Sequence, residues 1–158
     1  MGASIRMATD DDRAALAALR HRWNEEGAGA TIDDPAFAES FARWWDAERA
    51  TRTFFVAEDD GVAIGMANVK LYERMPVAGA ADGGRWGYVG NVFVVPERRD
   101  AGVGAVLMDA VFAWATREGL GHLRLAPSPR SFPFYERLGY RPGAVVELDP
   151  MRSASARA

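Results

Sequence analysis

The stretch NVFVVPERRDAGVGAVLMDAVFAW, residues 91–114, constrains the fold of this 158-residue chain more than any other. A β-branched run stops at Pro96, and Arg98 and Arg99 follow. Gly102 and Gly104 then open a segment whose Val103, Val106, Leu107, Ala110, Val111 and Trp114 recur at helical spacing. A helix is expected over about 103–118, stopped by Gly119, with HLRLA (122–126) as the next strand. Strand, tight turn, helix and strand in that order make a crossover over 88–126 that returns a strand parallel to the first. A chain built around such a unit needs a sheet with helices on its faces.

The remaining elements fit that plan. SIRMA (4–8) alternates as a short strand does, and Thr9 with Asp12 forms a capping-box-like start to a helix over about 10–26. Leu16, Leu19 and Trp23 give that helix an apolar stripe. GAGAT (27–31) breaks the chain before a second helix, where Asp34 precedes Pro35 at the expected first helical position and Phe37, Phe41, Trp44 and Trp45 share a face. TRTFFVAE (51–58) and VAIGMANVKLYE (62–73) are strands joined through DDG (59–61), a hairpin signal. RMPVAGAADGGR (74–85) has the length and glycine content of a substrate lid or of a disordered loop. WGYVGNVFVV (86–95) is a strand, SFPFYERL (131–138) a short helix ended by Gly139, and AVVEL (144–148) a last strand. The expectation is one mixed α/β domain over 1–150 with an antiparallel meander in its middle, followed by a disordered tail at 151–158.

Composition removes several function classes. A net charge of −3 and a pI near 5.4 supply no general attraction to nucleic acid or to an anionic membrane. The absence of cysteine excludes disulfides, zinc–thiolate sites and a cysteine nucleophile. The start MGASIRMATDDD carries no apolar signal core, and Arg6 stands where a myristoylation signal needs Ser or Thr. A cytoplasmic protein is expected. His21 and His122 have no ligand partners at suitable spacing, so no metal is expected either.

The glycine turn points to an anion. The first amides of a helix have no internal partners and lie at the positive end of its dipole. Gly102 and Gly104 let a phosphate approach the backbone, Arg98 and Arg99 add charge, and Asp100 opposes it. Two familiar phosphate motifs fail. AGVGAV lacks the Gly-Lys-Ser/Thr of a Walker A loop, and Leu107 fills the place of the third glycine of a dinucleotide fingerprint.

The longer pattern resembles motif A of the GNAT acetyltransferase superfamily, a strand and proline followed by Arg/Gln-x-x-Gly-x-Gly/Ala and a helix. Here that core runs from Arg99 through Asp100, Ala101, Gly102 and Val103 to Gly104. FPFYERLGYRP (132–142) resembles the downstream motif B, and IRMATDDD (5–12) resembles the usual first strand and helix start. The resemblance implies a mostly antiparallel sheet splayed between its fourth and fifth strands, with acetyl-CoA as co-substrate. Backbone groups of Val92, Phe93 and Val94 would bond the pantetheine arm, and amides from Asp100 to Ala105 the pyrophosphate. Ser128 stands where relatives often carry an Asn that contacts pantetheine, with a structural turn as the alternative. Tyr135 stands where they often carry the general acid for the CoA sulfur, with packing on Phe132 or Phe134 as the alternative. Homodimers are frequent among relatives, so a homodimer is one assembly the resemblance allows, and the sequence does not give the oligomeric state.

Amide formation needs a neutral amine. Deprotonating an alkylammonium of pKa ~10.4 costs roughly 4–5 kcal/mol at pH 7. The sequence does not single out a base. Glu25, Glu26 and Glu73 are candidates, each with a solvated charge as the alternative, and Asn91 can position a water but cannot take a proton. Without cysteine, direct attack in a ternary complex is expected rather than an acyl-enzyme. The segments that form the acceptor pocket in this family hold Trp23, Glu25, Glu26, Asp33, Asp34, Trp44, Trp45, Glu73 and Trp86. Acids beside indoles suit a small cationic amine. The competing readings are acetylation of a protein N-terminus or lysine, a CoA-binding module without catalysis, and a nucleotide-binding domain.

Overall fold

The computed structural model describes residues 2–79 and 84–143. They fall in two compact units, 1–126 and 127–158.

The first unit is a five-stranded sheet in the order of the sequence: β1 (Ser4–Met7), β2 (Arg52–Asp59), β3 (Val62–Glu73), β4 (Arg85–Val94) and β5 (Leu123–Arg124). The first three pairings are antiparallel and the last is parallel, as the crossover requires. Between them stand α1 (Arg13–Ala28), α2 (Phe37–Glu48) and α3 (Val103–Arg117). Adjacent residues of a strand face opposite ways, and β2 shows what each face meets. The Phe54 ring lies 4.5 Å from that of Trp45 on α2, whereas Phe55 lies 5.9 Å from Trp114 on α3. The sheet is thus covered on both faces. The expected hairpin is present, with Asp60 and Gly61 at φ 49° and 76°, the doubly left-handed turn that matches strand twist.

Three boundaries differ from expectation. Asp10–Asp12 form a 3-10 turn ahead of α1. α2 starts at Phe37 rather than Pro35, because Asp34 accepts the Ala36 N–H on its carboxylate and the Phe37 N–H on its carbonyl, each at 3.1 Å. HLRLA narrows to Leu123–Arg124, since β5 pairs with β4 only at Gly87 and Tyr88. β4 continues to Val94 without it, and the two strands part there.

Asp12 anchors the entry to α1. Its carboxylate takes two bonds from Arg6 at 2.7 and 2.8 Å and one from the Thr9 N–H at 2.7 Å. Arg6 above all, with Thr9, holds the buried Asp12 carboxyl at about 2, below its ordinary 3.8. A depressed folded-state value stabilises the fold above the ordinary value, and this contribution is lost as pH falls toward 2. Asp12→Asn is expected to cost roughly 1–2 kcal/mol at pH 7. The gap between parent and variant in urea unfolding should be narrower at pH 3.

The second unit is described over 127–143. It holds α4 (Phe132–Arg137), entered from a turn in which the Ser128 carbonyl accepts the Phe132 N–H at 3.1 Å, and closed by Gly139 at φ 88°. AVVEL, the tail at 151–158 and the middle of the 74–85 loop lie outside the described residues. Among the described residues, no helix is long and apolar enough to cross a membrane.

Candidate active site

β4 is irregular where chemistry was anticipated. Met66 faces Phe93 and Asn68 faces Gly90, so Ala67 alone opposes both Asn91 and Val92. This is a bulge, with Asn91 at φ 53°, a conformation Asn tolerates better than most side chains. Asn68, buried in the middle of β3, donates to the Asn91 side-chain oxygen at 2.8 Å and accepts from Arg52 at 2.9 Å. Because a guanidinium only donates, this chain fixes both amides, and Asn91 is left with its NH2 to offer. Arg52 is held in turn by Glu48 at 2.7 Å, whose carboxylate also takes Lys70 at 2.6 Å.

This polar chain ends on a cavity of about 430 Å³ between α1, α2 and the strands. Leu16, Phe37, Phe41, Trp44, Phe54 and Met66 give it apolar walls, and Arg20, Ser40, Arg52, Asn68 and Asn91 its polar groups. A second cavity, of about 690 Å³, is lined by α1, α2 and the turn before α2, with no strand residue.

The glycine turn follows the exit of β4. Gly102 caps α3 at φ 81° with Asp100 at φ 59°, and the Val106 N–H is the first to bond back, to Gly102 at 3.1 Å. The amides of Val103, Gly104 and Ala105 therefore have no acceptor within the helix. The arginines do not add free charge. Arg98 pairs with Asp59 at 2.7 Å. Arg99 forks onto both oxygens of Glu26 at 2.6 and 2.7 Å and donates to the Val94 carbonyl at 2.9 Å. Arg99 thus holds the turn against the end of α1.

A profile of the acetyltransferase (GNAT) family matches residues 14–140. The chain belongs to that family. An aminoglycoside N(6')-acetyltransferase type 1 from Stenotrophomonas maltophilia is 34% identical to this GNAT chain over 122 residues, covering 76% of it and 72% of the relative. A solved acetyltransferase from Clostridium acetobutylicum, crystallised with acetyl-CoA, has a TM-score of 0.78 at 20% identity, covering 95% of this chain and 97% of that one. The structure of AAC(6')-Iy with a bisubstrate analogue has a TM-score of 0.71 at 24% identity, covering 94% and 97%. At these identities the structures establish the fold.

The motif residues of the GNAT chain can now be placed. Val92, Phe93 and Val94 lie on β4 beyond its last pairing with β5, and residues 99–105 form the turn and the first residues of α3. Tyr135 and Ser128 lie in the second unit. Tyr135 is 8% exposed and packs edge-on against Phe134 and Tyr140, with ring centroids 5.0 and 5.6 Å away. Burial pushes its phenol up to about 12. No hydrogen bond to the Tyr135 hydroxyl is present among the described residues. The Ser128 hydroxyl bonds that of Ser131 at 2.9 Å, within the turn that starts α4.

Of the residues expected to meet the acceptor, Asn91 and Trp44 line the 430 Å³ cavity. Trp23, Glu26 and Glu73 do not. Trp23 stacks on Phe93 at 5.7 Å, Glu26 is engaged by Arg99, and Glu73 faces Arg85 at the end of the β3–β4 ladder. Glu25 takes the Ile32 N–H at 3.1 Å. Arg20, Arg52 and Asn68 were not anticipated, although two left a signal. Arg20 lies four residues after Leu16 on the apolar stripe of α1, and Asn68 interrupts an apolar strand run. Among the described residues, no cluster of three metal-ligating side chains occurs.

Proposed function

We propose that the chain transfers the acetyl group of acetyl-CoA to a primary amine of a small molecule, by direct attack with both substrates bound. The observation that carries this reading is the 430 Å³ cavity that ends at the Asn91 bulge of β4, the strand whose far edge opens where β5 stops. A cavity of that size suits a small molecule rather than an extended peptide. The donors near β4 also fit the co-substrate. The unbonded amides at the start of α3, with those from Asp100 onward, would take the pyrophosphate, and the edge at Val92–Val94, which no strand pairs and whose Val94 carbonyl accepts from Arg99, the pantetheine arm.

Acetyl-CoA supplies a thioester whose carbonyl carbon accepts the amine as the C–S bond breaks, giving an amide and the CoA thiol. Asn91 offers an N–H donor at the cavity end and holds the amine or a water there. No carboxylate lines that cavity among the described residues, so the ammonium proton leaves to solvent. The nearby guanidiniums assist, since like charge lowers an ammonium pKa. Tyr135 donates from its hydroxyl toward the departing sulfur. The cytoplasm, where acetyl-CoA is available, is the proposed location.

The test is a calorimetric titration with acetyl-CoA, NAD and ATP, followed by an amine screen read as thiol release. Saturable binding of acetyl-CoA alone, followed by thiol release with a small amine, is expected. Failure of folded protein to bind acetyl-CoA would overturn the reading. Binding without turnover of any amine or peptide would mark a CoA-binding module instead.

A further inference from the structure

The cavity that ends at Asn91 has an unusual charge. Its ionised lining residues are Arg20 and Arg52, with no carboxylate among the described residues that face it. Arg52 is matched by Glu48 and Asn68, but Glu48 also serves Lys70, so this group of side chains retains one positive charge. Arg20 has no such partner. It is partly buried, its guanidinium lies 4.6 Å over the Trp23 ring, and no carboxylate comes within ion-pair distance among the described residues. A guanidinium drawn partly out of water without an anion is destabilised, and an anionic ligand relieves that cost.

We propose that the acceptor carries a carboxylate or phosphate besides its amine, seated at Arg20, with an apolar body against Phe37, Phe41 and Trp44. This rests on the acetyl-transfer reading above and specifies its substrate class. The charges also set the direction of entry, because the guanidiniums attract the anionic end and repel the ammonium end. A polycation such as an aminoglycoside would bring several positive charges to a wall with no carboxylate among the described residues to match them. The acceptor named for the Stenotrophomonas relative is therefore not the one this cavity fits.

Matched pairs that differ in the anionic group test this. L-phenylalanine against 2-phenylethylamine probes the carboxylate, glucosamine 6-phosphate against glucosamine probes the phosphate, and neamine serves as the polycation. In at least one pair the anionic member should have the higher kcat/KM by about tenfold or more. Arg20→Leu should bring that ratio close to one, and Arg20→Lys should restore part of it. Equal or better turnover of the members that lack the anionic group, or of neamine, overturns the proposal while leaving acetyl transfer intact. Equilibrium titration with N-acetyl-L-phenylalanine and N-acetylglucosamine 6-phosphate, each against its uncharged counterpart, reads the anion site without catalysis. Binding of an anionic member alone, lost in Arg20→Leu, sustains the site even if no acetyl transfer is seen. The absence of any such preference in binding counts against it.

Discussion

A Tyr135→Phe variant is expected to bind acetyl-CoA as the parent does and to lose about 10²-fold in kcat, with KM for the amine little changed. Phenylalanine keeps the ring that packs against Phe134 and Tyr140 and removes only a donor. Burial raises the phenol from its ordinary 10.0 to about 12, which keeps it protonated through neutral and mildly alkaline solution. The alkaline limb of the parent's rate profile should therefore contain no step from Tyr135 near pH 10. A thiol of pKa ~8.5 is a stronger acid than such a phenol, so complete proton transfer to a relaxed thiolate is uphill. On the proposed mechanism the hydroxyl would act chiefly by hydrogen-bonding the charge that develops on sulfur, with solvent completing the protonation. An unchanged kcat in the variant would leave Tyr135 a packing residue.

Trp45→Ala should produce the largest loss of stability, about 3–5 kcal/mol and a fall in Tm of about 10 °C or more. Trp45 is 3% exposed, its ring lies 4.5 Å from Phe54, and its indole N–H donates to Asp10 at 3.0 Å. The substitution opens a void under α2 and removes the indole hydrogen bond to Asp10, leaving the one from Arg49. Trp45→Phe keeps most of the apolar contact and should recover more than half of the loss. Thermal unfolding followed by far-ultraviolet circular dichroism measures both. A loss below about 1 kcal/mol for Trp45→Ala would place the indole outside the cooperative core.

What the sequence revealed and what it hid follow from how far each signal reaches along the chain. The Asp60–Gly61 hairpin, the Gly102 turn and the apolar face of α3 depend on neighbours within a few residues, and each was legible. The shortness of β5 was not, because strand length depends on where a partner stops pairing, here at Tyr88. The arginines of the turn looked like free charge for a phosphate. Their partners lie far off in sequence, with Glu26 standing 73 residues before Arg99. The cavity was hidden for the same reason. Arg20, Arg52 and Asn91 come from a helix and two strands that meet only when the sheet is assembled, and no spacing rule links them.

The parting of β4 from β5 also bears on the protein's behaviour in concentrated solution. From Val89 to Val94 the outer peptide groups of β4 have no strand partner among the described residues. Such an edge is a template for an extended backbone, and the bulge at Asn91 and the Arg99 bond to the Val94 carbonyl turn only part of it aside. A ligand that fills the edge removes this template for self-association and also favours the folded chain by mass action. On the proposed function, the supply of that ligand would set how much of the protein stays dispersed as well as how fast it works.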